Sequence, residues 1–304
     1  MRFFGVPILA AVAAGIFFPY AALSLMPFGF VFLFILMLLS GLTIEWRRVP
    51  SVLERPFVLL AGLFLMFVFF PLLQLLLARL LINDSQFIVG IVFGSLMPAA
   101  LVAPLFTREL QGDEEFSFLL LVVSTLLVPL VAPLLLKLMT ASILPVRVAP
   151  LMKIMLLLVT VPLFCSFLIT EKLPKVRAAV LPYLGAGNAI ALSLLIFILF
   201  GNAVGRLNVG YAGIGNIGGL LILAFFQDFG VLFLARFLSG RLFAARTANA
   251  LFITLSMKNV AIATGILLFY DPRASLAPAL VFVGHAGLFS FIPVARRYLR
   301  IKDK

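Results

Sequence analysis

The stretch "NALFITLSMKNVAIATGILLF", residues 249–269, decides how the chain is read. A membrane-spanning helix needs about 20 predominantly apolar residues, and this stretch supplies them. Yet Lys258 stands near its middle, flanked by Ser256 and Asn259. A charged side chain at the centre of a bilayer costs about 2.5–3.5 kcal/mol on insertion scales. Such residues belong to substrate paths, ion paths or buried pairs, so a lysine here has to be compensated or used.

The composition agrees with a membrane chain. Of 304 residues, 64% are hydrophobic and only 11% charged, against roughly 45–50% and about 25% in ordinary globular domains. Apolar segments recur at roughly 3–18, 21–43, 56–81, 86–107, 116–139, 148–170, 178–201, 213–238, 247–269 and 275–295, joined by short connections. They read as one membrane domain over 1–304 with ten spans. The opening "MRFFGVPILAAVAAGIFF" also fits a signal peptide, but the span count is better explained if it stays. The net charge of +12 does not point to nucleic acid, because no soluble region is left to present it. A cytoplasmic excess of Lys and Arg explains it instead. The single cysteine, Cys165, excludes disulfides, thiolate metal sites and CxxC redox chemistry within the chain.

Charge placement orients the spans. With the amino terminus inside, 16 basic residues fall on the cytoplasmic side, among them Arg47, Arg48, Arg55, Lys172, Lys175, Arg177 and the cluster from Arg296 to Lys304. Six fall outside: Arg79, Lys137, Arg147, Lys153, Arg206 and Arg273. That bias predicts a multi-pass plasma-membrane protein with both termini cytoplasmic.

Two spans are defective as simple helices. The fourth, "FIVGIVFGSLMPAALVAPLFTREL", carries Pro98 and Pro104, and the ninth carries the Ser256–Asn259 polar cluster and Gly265. Each is the fourth of five spans in its half. Interrupted segments in corresponding places of two halves point to a transporter site, since broken helices expose backbone groups and dipole ends at the midplane.

At these residues the chain resembles the bile acid:sodium symporter family. The passages that carry the likeness are "SGLTIEWRRVPSVLERPFVLLAGLFLMFVFFPLL", "GSLMPAALVAPLFTRELQGDEEFSFLLLVVSTLLVPLVAP", "SMKNVAIATGI" and "FVGHAGLF". The second includes Ser124, Thr125, Pro129 and Pro133 of a fifth helix, and the last a histidine passage in the final helix. The resemblance implies an all-α integral membrane fold of ten transmembrane helices in two inverted five-helix repeats, about 1–140 and about 145–304. Helices one, two, six and seven would form a panel, the others a core in which broken helices four and nine cross. It implies secondary transport of an organic anion driven by sodium.

The departures carry more information. Matched position by position, the family's sodium-binding Ser-Asn pair becomes Ala103 and Pro104, and a hydroxyl pair in the fifth helix becomes Ser117 with Leu121. The third-helix glutamine becomes Met66, the ninth-helix glutamate Thr254, and the signature glutamine Lys258. Hard cations take several oxygen ligands, and Met, Leu, Ala and Pro side chains offer none, so on this alignment both sodium sites are gone. Lys258 would put a positive charge about where the ions would sit. At an effective dielectric of 20, a charge 4 Å from an anion gains about 4 kcal/mol before desolvation, enough to serve as counter-charge. Alternatively the lysine carries the coupling proton.

Asp228, in "LAFFQDFGVLFLARF", is the other clearly intramembrane charge. It either pairs with Lys258 structurally, pairs with it as a coupling switch, or faces a watery cavity alone. Asn259 is the best candidate for substrate contact, with helix capping as the alternative. His285 is a substrate-side candidate or a packing residue. Thr254 and Ser256 either touch substrate or bond back to their own helix. The formal GxGxxG at 213–218 follows no strand, so helix packing through Gly215 and Gly219 explains it better than a dinucleotide. The acidic run Asp113–Glu115 reads as a solvated loop.

The expected function is therefore sodium-independent or proton-coupled transport of a small organic anion, with the bilayer as the other partner and no cofactor or metal. The alternatives are a sodium-coupled carrier with altered sites, and a non-transporting sensor or scaffold whose cavity is closed by side chains such as Leu101 and Met66. An enzyme is not expected: no HExxH, paired carboxylates or Ser/His/Asp cluster appears. The arsenite-efflux branch places a cysteine in the first crossing helix, whereas Cys165 falls in the sixth span.

Overall fold

The computed structural model describes residues 5–44, 46, 56–205, 213–231, 243–281 and 284–285. The basic segments at 47–55 and 296–304, and Arg206, Arg236 and Arg241, lie outside these residues. Regular structure among the described residues is helical, and the isolated antiparallel bridge between Ala99 and Lys258 is the β-type pairing that joins them.

Among the described residues, four helices are long and apolar enough to cross a membrane: Pro56–Leu81, Glu114–Thr140, Val148–Lys172 and Pro174–Asn202. The outside of Glu114–Thr140 shows what kind of surface they present. Leu126, Leu130, Leu134 and Leu138 recur every four residues and all are exposed, a stripe that water would penalise and lipid would not. Pro129 and Pro133 lie inside this helix without ending it, as membrane helices tolerate when neighbours meet the freed carbonyls.

Two of the long helices are interrupted by a π turn followed at once by a residue and a proline. Leu65–Phe69 precedes Phe70 and Pro71, and Leu156–Thr160 precedes Val161 and Pro162. A third π turn, Phe226–Gly230, extends Ile214–Phe225. Proline removes an interior N–H, and a local i→i+5 register is one way a helix absorbs the loss.

The helices pack in two groups. In one, Leu184–Gly205 lies against Gly5–Phe17, Pro19–Ser24 and Gly29–Gly41, and the last packs on Val161–Lys172. The approach is close enough that a Cβ at Gly201 would overlap that of Ala22. In the other, Phe70–Leu81 packs on Ser85–Ser95 and Ile214–Phe225, while Ala103–Glu109 and Ala245–Ser256 pack on Glu114–Thr140. Gly219 sits against the Leu81 carbonyl, but Gly215 faces open space. The expected two-glycine packing therefore holds at Gly219 and not at Gly215.

One end of the molecule is tied by polar side chains. Arg273 pairs with Asp84 at 2.5 Å, Gln86 Nε2 donates to both carboxylate oxygens of Asp271 at 3.0 and 3.1 Å, and the Arg147 N–H donates to the Tyr270 hydroxyl at 2.7 Å. Asp84 also caps Ser85–Ser95, accepting from the N–H groups of Gln86 and Phe87. At Arg108, Gln111–Glu115 and Ala244–Thr247 the second group instead opens into a cavity of about 960 Å³. The acidic run expected as a plain solvated loop forms part of this rim. Asp113 caps Glu114–Thr140, and Glu114 pairs with Arg108 at 3.3 Å.

Candidate functional site: the crossing of two broken helices

Both broken spans break where the sequence places the defects. Ser85–Ser95 stops before Pro98, and the chain resumes helix at Ala103–Glu109. Ala245–Ser256 stops before Lys258, and helix resumes at Val260–Tyr270. Between the halves, 98–100 and 257–259 run antiparallel in contact. The Asn259 N–H donates to the Pro98 carbonyl at 2.8 Å, and the Ala100 N–H donates to the Met257 carbonyl at 2.7 Å. Non-helical backbone survives at membrane depth only where protein satisfies its polar groups, and here each break satisfies the other. Pro104 plays a different part from the one expected of it. It lies within the first two positions of the resumed helix, where no N–H is required, so it starts a helix; Pro98 marks the break.

Lys258 lies at this crossing, 1% exposed. Its ammonium donates to the Met66 carbonyl at 3.2 Å and sits 5.8 Å from the centre of the Phe70 ring, within cation–π range. Met66, Ala99, Ala103 and Leu121 of the surrounding apolar cluster are all buried. Ser117 is tied to Thr107 by a hydroxyl–hydroxyl bond of 3.0 Å, and the Leu121 carbonyl receives the hydroxyls of Ser124 and Thr125.

The remaining expected residues divide. Thr254 and Ser256 are fully buried and donate back to their own helix, to the carbonyls of Ala250 at 2.9 Å and Phe252 at 2.8 Å. Their single hydroxyl protons are thereby used. Asn259 is half-buried and caps Val260–Tyr270, its Oδ1 accepting from the Ile262 N–H at 3.4 Å. Asp228 lies in the third π turn, fully buried, and meets His285 rather than Lys258: Nδ1 stands 3.5 Å from Oδ1. No ion pair joins Asp228 to Lys258 among the described residues. The imidazole Nδ1 also lies 3.0 Å from the Val281 carbonyl, and the ring abuts the Lys258 main chain. Gly284 makes room for this cluster, since a Cβ there would overlap Asp228 Oδ2.

Three buried amides go beyond the residues the sequence pattern points to. Gln74 and Gln227 are 0% exposed and Asn202 1%, and their side-chain amides have no hydrogen-bond partner among the described residues. The signal was present in "LLQLLL" and "FFQDF", a polar residue inside an apolar run. Unmet amides inside a protein carry a desolvation cost and ask for an explanation.

Comparison with known proteins gives the site its setting. Residues 30–208 match the model describing the sodium bile acid symporter family. The chain is also similar to a Bacillus subtilis (strain 168) protein named "Uncharacterized sodium-dependent transporter YocS", 23% identical over 282 residues, covering 92% of this chain and 85% of that one.

Proposed function

The chain belongs to the sodium bile acid symporter family and is a membrane-bound secondary transporter, not an enzyme, and we propose that it carries a small organic anion by alternating access, with the Lys258 ammonium in place of a bound sodium ion. The observation that carries this reading is a fully buried lysine amine at the crossing of two broken helices, held by a carbonyl and a ring and by no carboxylate among the described residues. A cation so placed keeps donors for an anionic guest, since an ammonium has three and Met66 takes one. The start of Val260–Tyr270 adds the positive end of a helix dipole beside it.

The proposed architecture is ten helices in two inverted repeats, about 1–140 and about 145–304, in the plasma membrane with both termini cytoplasmic. Its support is the two packing groups, the paired breaks, and π turns in both Pro56–Leu81 and the 214–230 segment. The tied end at Asp84–Arg273 and the cavity at Arg108–Arg246 fit one of the two states that alternating access requires. Asp228 and His285 form the proposed coupling pair for a proton, because both are buried together and the imidazole abuts the crossing.

A second reading, sodium coupling through altered sites, is favoured by the printed name of the Bacillus subtilis relative. Uptake of labelled small organic acids into proteoliposomes, with sodium replaced by choline, separates the two. Undiminished uptake in choline supports Lys258 as the cation. A saturable sodium requirement would establish the second reading, and no uptake of any anion would favour a sensor or scaffold.

A further inference from the structure

The contact between Lys258 and Met66 has a cause in the neighbouring backbone. In the π turn Leu65–Phe69 the Phe70 N–H donates to the Leu65 carbonyl, five residues back. In that register the Met66 carbonyl would take its donor from residue 71, which is proline and has no N–H. The α-helical donor, Phe70, is already engaged. The Met66 carbonyl is thus left without a main-chain partner at a fully buried residue, a costly state in an apolar interior. The Lys258 ammonium fills it at 3.2 Å, and Phe70 presents its ring to the same ammonium.

The second long helix supplies an internal control. Leu156–Thr160 has the same pattern: the Val161 N–H donates to Leu156, and Pro162 follows. The Leu157 carbonyl is freed by the same logic, yet no side-chain donor reaches it among the described residues. The bulge and proline alone therefore do not recruit a lysine; the recruitment belongs to the crossing.

We propose that the π turn and Pro71 build a binding site for a primary ammonium, with the Met66 carbonyl as acceptor and the Phe70 face as wall, and that Lys258 is its resident occupant. Pro71 is then a positioning residue for Lys258, acting through the carbonyl it leaves open. The site deepens the role proposed for Lys258, but its existence does not depend on transport and is tested without it.

The test is the thermal midpoint of the purified protein in detergent, for Pro71→Ala in the Lys258 and Lys258→Met backgrounds. Alanine restores an N–H that competes for the Met66 carbonyl. With Lys258 present, that strips a buried ammonium of its acceptor, and the midpoint should fall by about 2–4 °C. With Met at 258 the carbonyl is otherwise unmet, so the same alanine should raise the midpoint by about as much. Pro162→Ala should shift both backgrounds equally. A Pro71→Ala protein too unstable to purify, beside a purifiable Pro71→Ala/Lys258→Met protein, is the same result in stronger form. Shifts of one sign and size in both backgrounds, or loss of both proteins, would overturn the proposal. Unchanged anion affinity in Lys258→Met would sink the transport role of the lysine and leave this sign reversal untouched.

Discussion

At Lys258 and Asp228 the sequence allowed a simple ion pair, in which each charge makes the other insertable. The structure gives Lys258 the Met66 carbonyl and brings Asp228 Oδ1 to 3.5 Å from the His285 imidazole, with no Lys258–Asp228 ion pair among the described residues. The distinction changes what mutation does. Losing one member of a buried pair strands the other and is strongly destabilising, and losing both restores balance. Here Lys258→Met removes a charge that no carboxylate pairs with among the described residues, so the protein should fold. Its anion affinity should fall by about 1.5–3 kcal/mol, the range for a hydrogen bond to a charged group, read by calorimetric titration. Adding Asp228→Asn should not restore that affinity, because no ion pair joins the two groups among the described residues. Recovery of wild-type binding in the double variant would reinstate the ion pair.

Among the elements, the broken helix at Asn259 shows how far sequence reaches. The spans expected at 56–81, 116–139 and 148–170 correspond to Pro56–Leu81, Glu114–Thr140 and Val148–Lys172, because twenty-odd apolar residues leave backbone little choice but helix in an apolar medium. Both breaks were legible too, since Pro98 and the polar run Ser256–Asn259 interrupt otherwise uniform spans. The π turns were not legible, as a register change inside an apolar run has no composition of its own; Pro71 and Pro162 are its trace. Nor was the choice of partner for Asp228, which depends on how distant segments meet. For Asn259 the sequence allows substrate contact or a helix cap, and the geometry provides the cap. The two roles respond differently to charge. Asn and Asp are equivalent N-caps, whereas Ala costs about 1 kcal/mol. Asn259→Asp should therefore keep the thermal midpoint that Asn259→Ala lowers. If Asn259 also faces the anion, the new carboxylate repels it and binding is lost while stability is kept. Intact anion binding in Asn259→Asp would leave Asn259 with the cap alone.

Across the whole molecule, the Asp84–Arg273 and Gln86–Asp271 contacts tie one end, while a cavity of about 960 Å³ lies among Arg108, Asp113 and Arg246. A carrier that works by alternating access has a second state with these relations exchanged, and any contact made in only one state biases the ratio of the two. Arg273→Ala with Gln86→Ala removes both ties and leaves the Asp84 cap in place, since that cap receives main-chain N–H groups. Partly exposed ion pairs contribute about 0.2–1 kcal/mol and hydrogen bonds about 0.5–1.5 kcal/mol. Their joint loss, on the order of 1–2 kcal/mol, should raise a minor outward-open population by about 5–30-fold, since 1.4 kcal/mol is tenfold. Ser275 reports on it: it is buried beside the tie, and cysteine is close to serine in size. In a Cys165→Ala background, Ser275→Cys should react slowly with a membrane-impermeant maleimide added to intact cells, and about 5–30-fold faster once the ties are removed. Equal rates with and without the ties would show that they do not hold this end shut. Labelling confined to inside-out vesicles would show instead that the end is cytoplasmic, which would invert the orientation drawn from the 16-to-6 distribution of basic residues.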